Sequence, residues 1–278
     1  MDGKVGVGTI RMLNSSDKDK FVRIAISLDK YKHLPDKLPS KFIWVNAASN
    51  TLYVYENGDM KFTSKVITGK PLTRTPVLNS QISEIVTYPQ WLPPASIIKK
   101  EILPAVKKNP GYLTKRGFSL VDSKGEEVDP FTVDWSQYSK SIPFRVVQGS
   151  GDANALGIIK FVFANKYAVY LHDTNQRYLF GNSYRSLSHG CVRVQEWRKL
   201  VNYILQNDSL ISGGRNFTRI DSLNQWLAVK KKISVPVRNK IPVYIRYITC
   251  EGNANGISFF EDVYAEDIQL GEKYFAGK

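Results

Sequence analysis

Cysteine and histidine are the scarce residues of this chain, with two and three copies among 278 residues. Two cysteines exclude a disulfide-dense scaffold, and paired Cys-x-x-Cys spacing, the usual mark of a structural zinc site, is missing. No apolar run approaches the ~20 residues that a membrane-spanning helix needs. Nor does a charged-then-apolar leader follow Met1, so the opening Met-Asp-Gly-Lys-Val-Gly reads as sequence from within a longer protein. Internal repeats, a phosphate-cradling Gly-rich loop and a paired-carboxylate motif are also missing, which leaves nucleotide binding and two-carboxylate chemistry without support.

What is present is ordinary globular composition, 42% hydrophobic and 23% charged, enough for one large core and an appendage. The formal charge of +14 favours contact with anionic surfaces. The lysines are spread evenly, however, and no basic patch interleaved with aromatics marks a nucleic-acid module.

The scarce residues are not spread evenly. His172, His189 and Cys191 fall within one window, Tyr170-Leu-His-Asp-Thr followed by Ser188-His-Gly-Cys-Val-Arg. A lone cysteine is most often a small buried hydrophobe and a lone histidine a satisfied polar residue. Together they suit a thiol nucleophile, which needs a nearby base because a free thiol is mostly protonated at neutral pH. Two imidazoles and a thiolate would also suit zinc, but a fourth ligand is lacking, so no metal is assigned. Gly190 permits a tight turn before Cys191 and leaves the surrounding amides to face a developing oxyanion.

Along the chain, Ser16 caps a predicted helix with apolar residues at Phe21, Ile24, Ala25 and Leu28, ending near Leu34-Pro35. His33 lies at its end with nothing catalytic around it. From Lys41 the period changes to strands: Phe42-Ile-Trp-Val-Asn, Thr51-Leu-Tyr-Val-Tyr and Lys61-Phe-Thr-Ser-Lys-Val-Ile, with Asn57-Gly58 a hairpin turn. Another strand covers Ile82 to Tyr88. A mixed, Pro-rich stretch follows, with a helix over 96–107 interrupted by Pro104, and reads as an insertion into a sheet domain. Trp91, Tyr112 and Trp135 there either line a groove or form the insertion's own core. Strands resume at Phe144-Arg-Val-Val-Gln-Gly, Ile158-Ile-Lys-Phe-Val-Phe and Tyr167-Ala-Val-Tyr-Leu, placing His172 at a strand end, where rigid sheet meets loop. After Cys191 comes a helix with Trp197, Leu200, Val201, Ile204 and Leu205 on its core face, then a helix around 223–230. A strand from Pro242 and a hairpin turned at Asn253-Ala-Asn-Gly end the pattern. Cys250 sits in the alternating run Val243-Tyr-Ile-Arg-Tyr-Ile-Thr-Cys and reads as a packed core thiol.

His172, fifteen residues, then Ser188-His-Gly-Cys-Val-Arg resembles the signature of the L,D-transpeptidase catalytic domain of the YkuD type. The flanking Val66-Ile-x-Gly-Lys-Pro-x-x-x-Thr-Pro, Glu101-Ile-Leu-Pro, Asn154-Ala-Leu-Gly-x-x-Lys-Phe and Val169-Tyr-Leu-His-Asp-Thr resemble its large YcbB-type branch. The likeness runs from about Phe42 to Tyr264, although Val194-Gln195-Glu196 follows the arginine where many members carry Asn. Residues 2–14 resemble the last helix of a peptidoglycan-binding domain, a remnant too short to bind anything, and they hint at a wall-binding module upstream.

The resemblance implies an α+β fold. A mostly antiparallel β catalytic domain over 41–278 would carry a helical capping subdomain inserted at about 89–142, behind a linker helix over 15–40. It implies a cysteine acyltransferase that builds 3-3 cross-links between peptidoglycan stem peptides and releases D-Ala from a tetrapeptide donor. Hydrolysis or amino-acid exchange at the same site, or a non-catalytic wall-binding protein, are the alternatives. Cys191 would be the nucleophile, His172 its base and His189 a pocket-shaping partner. The Asp173 carbonyl would orient His172, while the Gly190 and Cys191 amides and the Tyr170 hydroxyl would hold the oxyanion. Arg193 would hold a stem carboxylate or brace backbone carbonyls, and both uses stay open. Ser188 and Trp91 are the remaining candidates for substrate contact. No cofactor is implied. The partners implied are stem peptides, an amine acceptor and carbapenem-type β-lactams, in a periplasmic or cell-envelope setting. A papain-like enzyme is disfavoured, since such chains carry the cysteine upstream of the histidine. A Cys191–Cys250 bridge would abolish the nucleophile.

Overall fold

Asn57 and Gly58 both adopt positive φ, 55° and 88°, which is the backbone demanded by a two-residue hairpin turn. The turn joins β2 (Thr51–Glu56) to β3 (Asp59–Gly69), and β2 pairs on its other side with β1 (Lys41–Asn46). The structure is a computed structural model that describes residues 13–211, 218–253 and 256–275, with Gly6 and Ile10. The remnant assigned to 1–14 and the turn residues 254–255 therefore lie largely outside the described residues.

The main sheet continues with β4 (Leu78–Thr87). A small separate sheet comes next, from β5 (Phe118–Val121), β6 (Glu127–Val128) and β7 (Arg145–Gln148). The chain then returns to the main sheet with β8 (Ile159–Phe163), β9 (Leu171–His172), β10 (Ser186–Ser188), β11 (Val192–Val194) and β12 (Ile233–Arg246). The hairpin of β13 (Cys250–Asn253) and β14 (Gly256–Phe259) follows. Strand order in the nine-stranded sheet is β10-β3-β11-β9-β8-β4-β12-β1-β2, and β2 also pairs with β3, so the sheet closes on itself. Pairing is mostly antiparallel, with parallel contacts at β1–β12, β9–β11 and β3–β10.

Alternation along the strands drives Ile43, Val45, Leu52, Val54, Phe161, Leu171, Val192 and Val243 into one apolar core. The helix Trp197–Ile211 adds Trp197, Leu200, Val201, Ile204 and Leu205 to that core, and the helix Ile220–Ala228 adds Leu223 and Leu227. Both helices bury the stripe that their sequence spells.

The N-terminal helix, Asp17–Tyr31, starts with a capping box between Ser16 and Asp19. Its buried face is not the expected apolar stripe. Phe21 and Leu28 are exposed, while Ile26 and Ser27 are buried. The helix docks instead through long cationic stems: Arg23 donates to the carbonyls of Thr249 and Phe260, and Lys30 to the Tyr247 carbonyl and the Asp267 carboxylate.

The insertion differs from a helical cap in two ways. Its helical run over 95–108 packs on the three-stranded sheet β6-β5-β7, with a separate core of Ile97, Leu103, Val106, Leu113, Phe118 and Trp135. It also extends beyond 142, because β7 pairs with β5 rather than joining the main sheet. The residues Ile98–Ile102 form a π turn just ahead of Pro104. A wider turn relieves the clash of a proline ring with the carbonyl four residues back. The expected strand Tyr167–Leu171 shortens to Leu171–His172, since Ala168 takes a positive φ of 54°.

Candidate active site

Leu171 pairs with Val192 and His172 with Arg193 across β9 and β11, and Lys160 on β8 pairs with His172. Leu171 and Val192 point into the core, so strand alternation sends Tyr170, His172, Cys191, Arg193 and Lys160 to the opposite face. Lys160, His172 and Arg193 lie abreast, and Cys191 falls level with Tyr170. Cys191 keeps part of its surface open, and Cys250 is buried; both are free thiols.

His172 is buried, and its Nδ1 donates to the Asp173 carbonyl. That contact leaves Nε2 as the lone-pair nitrogen. Burial, then the adjacent Arg193 charge, pushes the His172 pKa down to about 3, against the pull of the Asp173 and Leu156 carbonyls. The Asp173 carboxylate is itself buried and accepts from the Ile158 amide at 3.0 Å and from Arg177 at 3.2 and 2.8 Å. It fills the space where Gly157 has no side chain: a Cβ there would sit 2.3 Å from Asp173 Oδ2.

Burial also pushes the Cys191 thiol up, although Tyr170, Lys160 and Arg193 act to lower it. The thiol donates to the Ala168 carbonyl at 3.8 Å. Among the described residues no hydrogen bond joins it to the His172 ring, and burial disfavours the charged form of both groups. The Tyr170 ring meets His172 edge-on at 5.7 Å. Burial, then the nearby sulfur, holds the Tyr170 phenol protonated well above its ordinary range.

Two expectations about the cysteine loop need correcting. Gly190 adopts φ 118°, as a tight turn requires, but its amide donates to Ser188 Oγ at 3.1 Å and is not turned toward an incoming acyl group. Ser188 is buried and donates to the Cys191 carbonyl at 2.6 Å, so it braces the loop rather than touching a substrate. The Cys191 amide makes no hydrogen bond among the described residues and remains a donor for an oxyanion.

The segment 69–76 holds this loop from behind. Thr75 Oγ1 accepts from the Gly69 amide at 2.8 Å and donates to the Gly190 carbonyl at 2.9 Å. Lys70 and Thr73 donate to the Ser188 carbonyl. Gly69 is obligatory here, because a Cβ would lie 2.1 Å from the Thr73 carbonyl oxygen.

The remaining candidates divide. His189 reaches away from Cys191 and pairs with Glu101 of the insertion, tying the cap to the cysteine loop. Arg193 donates to the Gln176 side chain at 2.9 Å and braces no backbone carbonyl among the described residues. Trp91 packs on the insertion core near Phe118, ring centroids 5.8 Å apart. Trp135 is buried inside the insertion, and Tyr112 lies under Arg116, so neither forms the site. Sequence reasoning missed Lys160, Thr75 and Glu101. Lys160 carried a visible signal, a cation in the middle of Ile158-Ile-Lys-Phe-Val-Phe.

The closed, mostly antiparallel sheet, with helices packed on it, presents a free cysteine and a buried histidine from neighbouring strands, an α+β arrangement. Residues 40–234 match the family model of the YkuD L,D-transpeptidase catalytic domain, and the chain belongs to that family. A relative from Haemophilus influenzae, named "Putative L,D-transpeptidase", is 36% identical over 248 residues, covering 89% of this chain. The chain spans 48% of that relative's length. Among solved structures, an L,D-transpeptidase from Mycobacterium smegmatis overlaps 74% of this chain and 58% of its own at 12% identity and TM-score 0.33. One from Stackebrandtia nassauensis covers 81% and 64% at 12% identity and TM-score 0.28. Overlaps this loose have no bearing on the chemistry.

Proposed function

We propose that this chain is an L,D-transpeptidase of the YcbB-like branch that forms 3-3 cross-links in peptidoglycan through a thioester on Cys191. The observation that carries the reading is the placement of Cys191, Tyr170, His172 and Arg193 on one face of adjoining strands, with the sulfur partly open. The sulfur adds to the carbonyl of the third stem residue while its proton passes by way of His172 Nε2 to the amide nitrogen of the departing D-Ala. A C–S bond forms and the C–N bond breaks. A side-chain amine of a second stem then attacks the thioester, the C–S bond breaks, and His172 returns the amine proton to sulfur. The Cys191 amide and the Tyr170 hydroxyl stabilise the oxyanion of both steps. Arg193, half-buried and charged, holds a stem carboxylate.

The substrate sets a periplasmic or cell-envelope location. Carbapenems acylate the same sulfur. Two measurements test the proposal: D-Ala release with appearance of a cross-linked product from a disaccharide-tetrapeptide, and the mass of the protein after incubation with a carbapenem. One covalent adduct is expected in the native chain and none in Cys191→Ala. Release of D-Ala with water alone as acceptor would make the enzyme a carboxypeptidase, and no turnover at all would refute the assignment.

A further inference from the structure

We propose that Lys160 is the positioning cation of this site: its ammonium supplies the countercharge that lets Cys191 exist as a thiolate. The argument rests on the transpeptidase reading for its purpose but not for its geometry. Lys160 stands directly opposite His172 in the β8–β9 register, on the face that carries Cys191. Its Nζ lies 4.0 Å from the centroid of the ring of Tyr170, the residue level with Cys191 across the neighbouring strands. An ammonium held over a phenol face in a half-buried position is attracted to the ring and is poorly screened by water.

The need for such a charge follows from His172. A buried imidazole abreast of Arg193 rests neutral, so it relays a proton without supplying a standing positive charge to balance a thiolate. The groups facing Lys160 are Tyr170 just ahead of β9 and His172 on it, Cys191 just ahead of β11 and Arg193 on it, Glu84 on β4, and Lys232 ahead of β12. Cys191 and Glu84 favour the ammonium, and burial, the largest influence, and Lys232 oppose it. Arg193 also favours the thiolate, but its guanidinium is engaged with Gln176. Among the described residues Lys160 forms no ion pair with a carboxylate, and the negative groups that act on it are Cys191 and Glu84.

Alkylation of Cys191 by iodoacetamide reads the thiolate without any peptidoglycan substrate. The rate is followed against pH in the full chain, with the adduct assigned to Cys191 rather than Cys250 by peptide mass. Lys160→Met is expected to alkylate roughly tenfold more slowly near neutral pH and to shift the rate profile up by about one pH unit, the effect of losing one nearby charge. Lys160→Arg keeps the charge and should follow the native profile. Thermal unfolding of both variants guards against misfolding, and Lys160→Gln replaces Lys160→Met if the latter is unstable. A neutral variant that superimposes on the native profile, or an arginine variant that moves as far as the neutral one, overturns the proposal. A native profile that responds to Lys160 in a protein that releases no D-Ala would sink the proposed function and leave the role of Lys160 standing.

Discussion

Replacing Thr75 with valine removes one hydroxyl while keeping the branched shape of the side chain. That hydroxyl is buried and serves two backbone groups, accepting from Gly69 N and donating to the Gly190 carbonyl. A buried backbone group left without its partner costs about 1–3 kcal/mol. Two such groups, set against the added apolar methyl, give an expected loss of about 2–4 kcal/mol. The damage should not stop at stability. Gly190 immediately precedes Cys191, and its carbonyl is one of the points at which the cysteine loop is fixed. Loosening it lets Cys191 drift from its working position, where a displacement of about 1 Å lowers rates by up to ~100-fold. Urea unfolding measures the first effect and the rate of carbapenem acylation the second. The reasoning fails if Thr75→Val unfolds within about 0.5 kcal/mol of the native protein and acylates at the native rate. Tyr264 limits the loss, because its hydroxyl still accepts from Thr75 N at 3.2 Å and donates to the Gly69 carbonyl at 2.9 Å.

Two further outcomes follow from buried groups in the same site. His172 is neutral when folded, with a pKa near 3, whereas an unfolded histidine titrates near its ordinary value of 6.5. Between those values the unfolded chain binds the extra proton, so stability falls as the pH falls from about 6.5 toward 3, by at most ~1.4 kcal/mol per pH unit. The urea midpoint of the native protein should drop across that window, and that of His172→Gln should drop less; parallel curves would refute the burial argument. Gly157→Ala would bring a methyl within 2.3 Å of Asp173 Oδ2 at a φ of +61°, which has no unstrained solution. Expected are a loss of about 2–4 kcal/mol in urea unfolding and slower carbapenem acylation, since the Asp173 backbone holds the His172 ring. A Gly157→Ala protein of native stability would show that the carboxylate moves aside freely.

The family and most of the strands were legible because they are local. A hairpin needs only Asn57-Gly58, a core face only the alternation of Ile43, Val45, Leu52 and Val54, and the signature only the few residues around Cys191. The misreadings concern partners far apart in the chain. The buried face of the N-terminal helix was misjudged because Arg23 and Lys30 dock it on carbonyls more than 200 residues away. Gly190 was expected to offer its amide because nothing in a one-dimensional string shows Ser188 Oγ turning back to take it. The insertion was read as ending too early because β7 spells the same alternation whichever sheet it joins.

Alone, then, the order of residues determined which atoms could react and which segments would be strand or helix, since those depend on neighbours within a few positions. Tertiary structure decided which charges face the sulfur. Strand register sets Lys160 opposite His172, and the loop ahead of β4 folds the Thr75 hydroxyl behind Gly190; both are fixed by packing across the closed sheet rather than by any local preference.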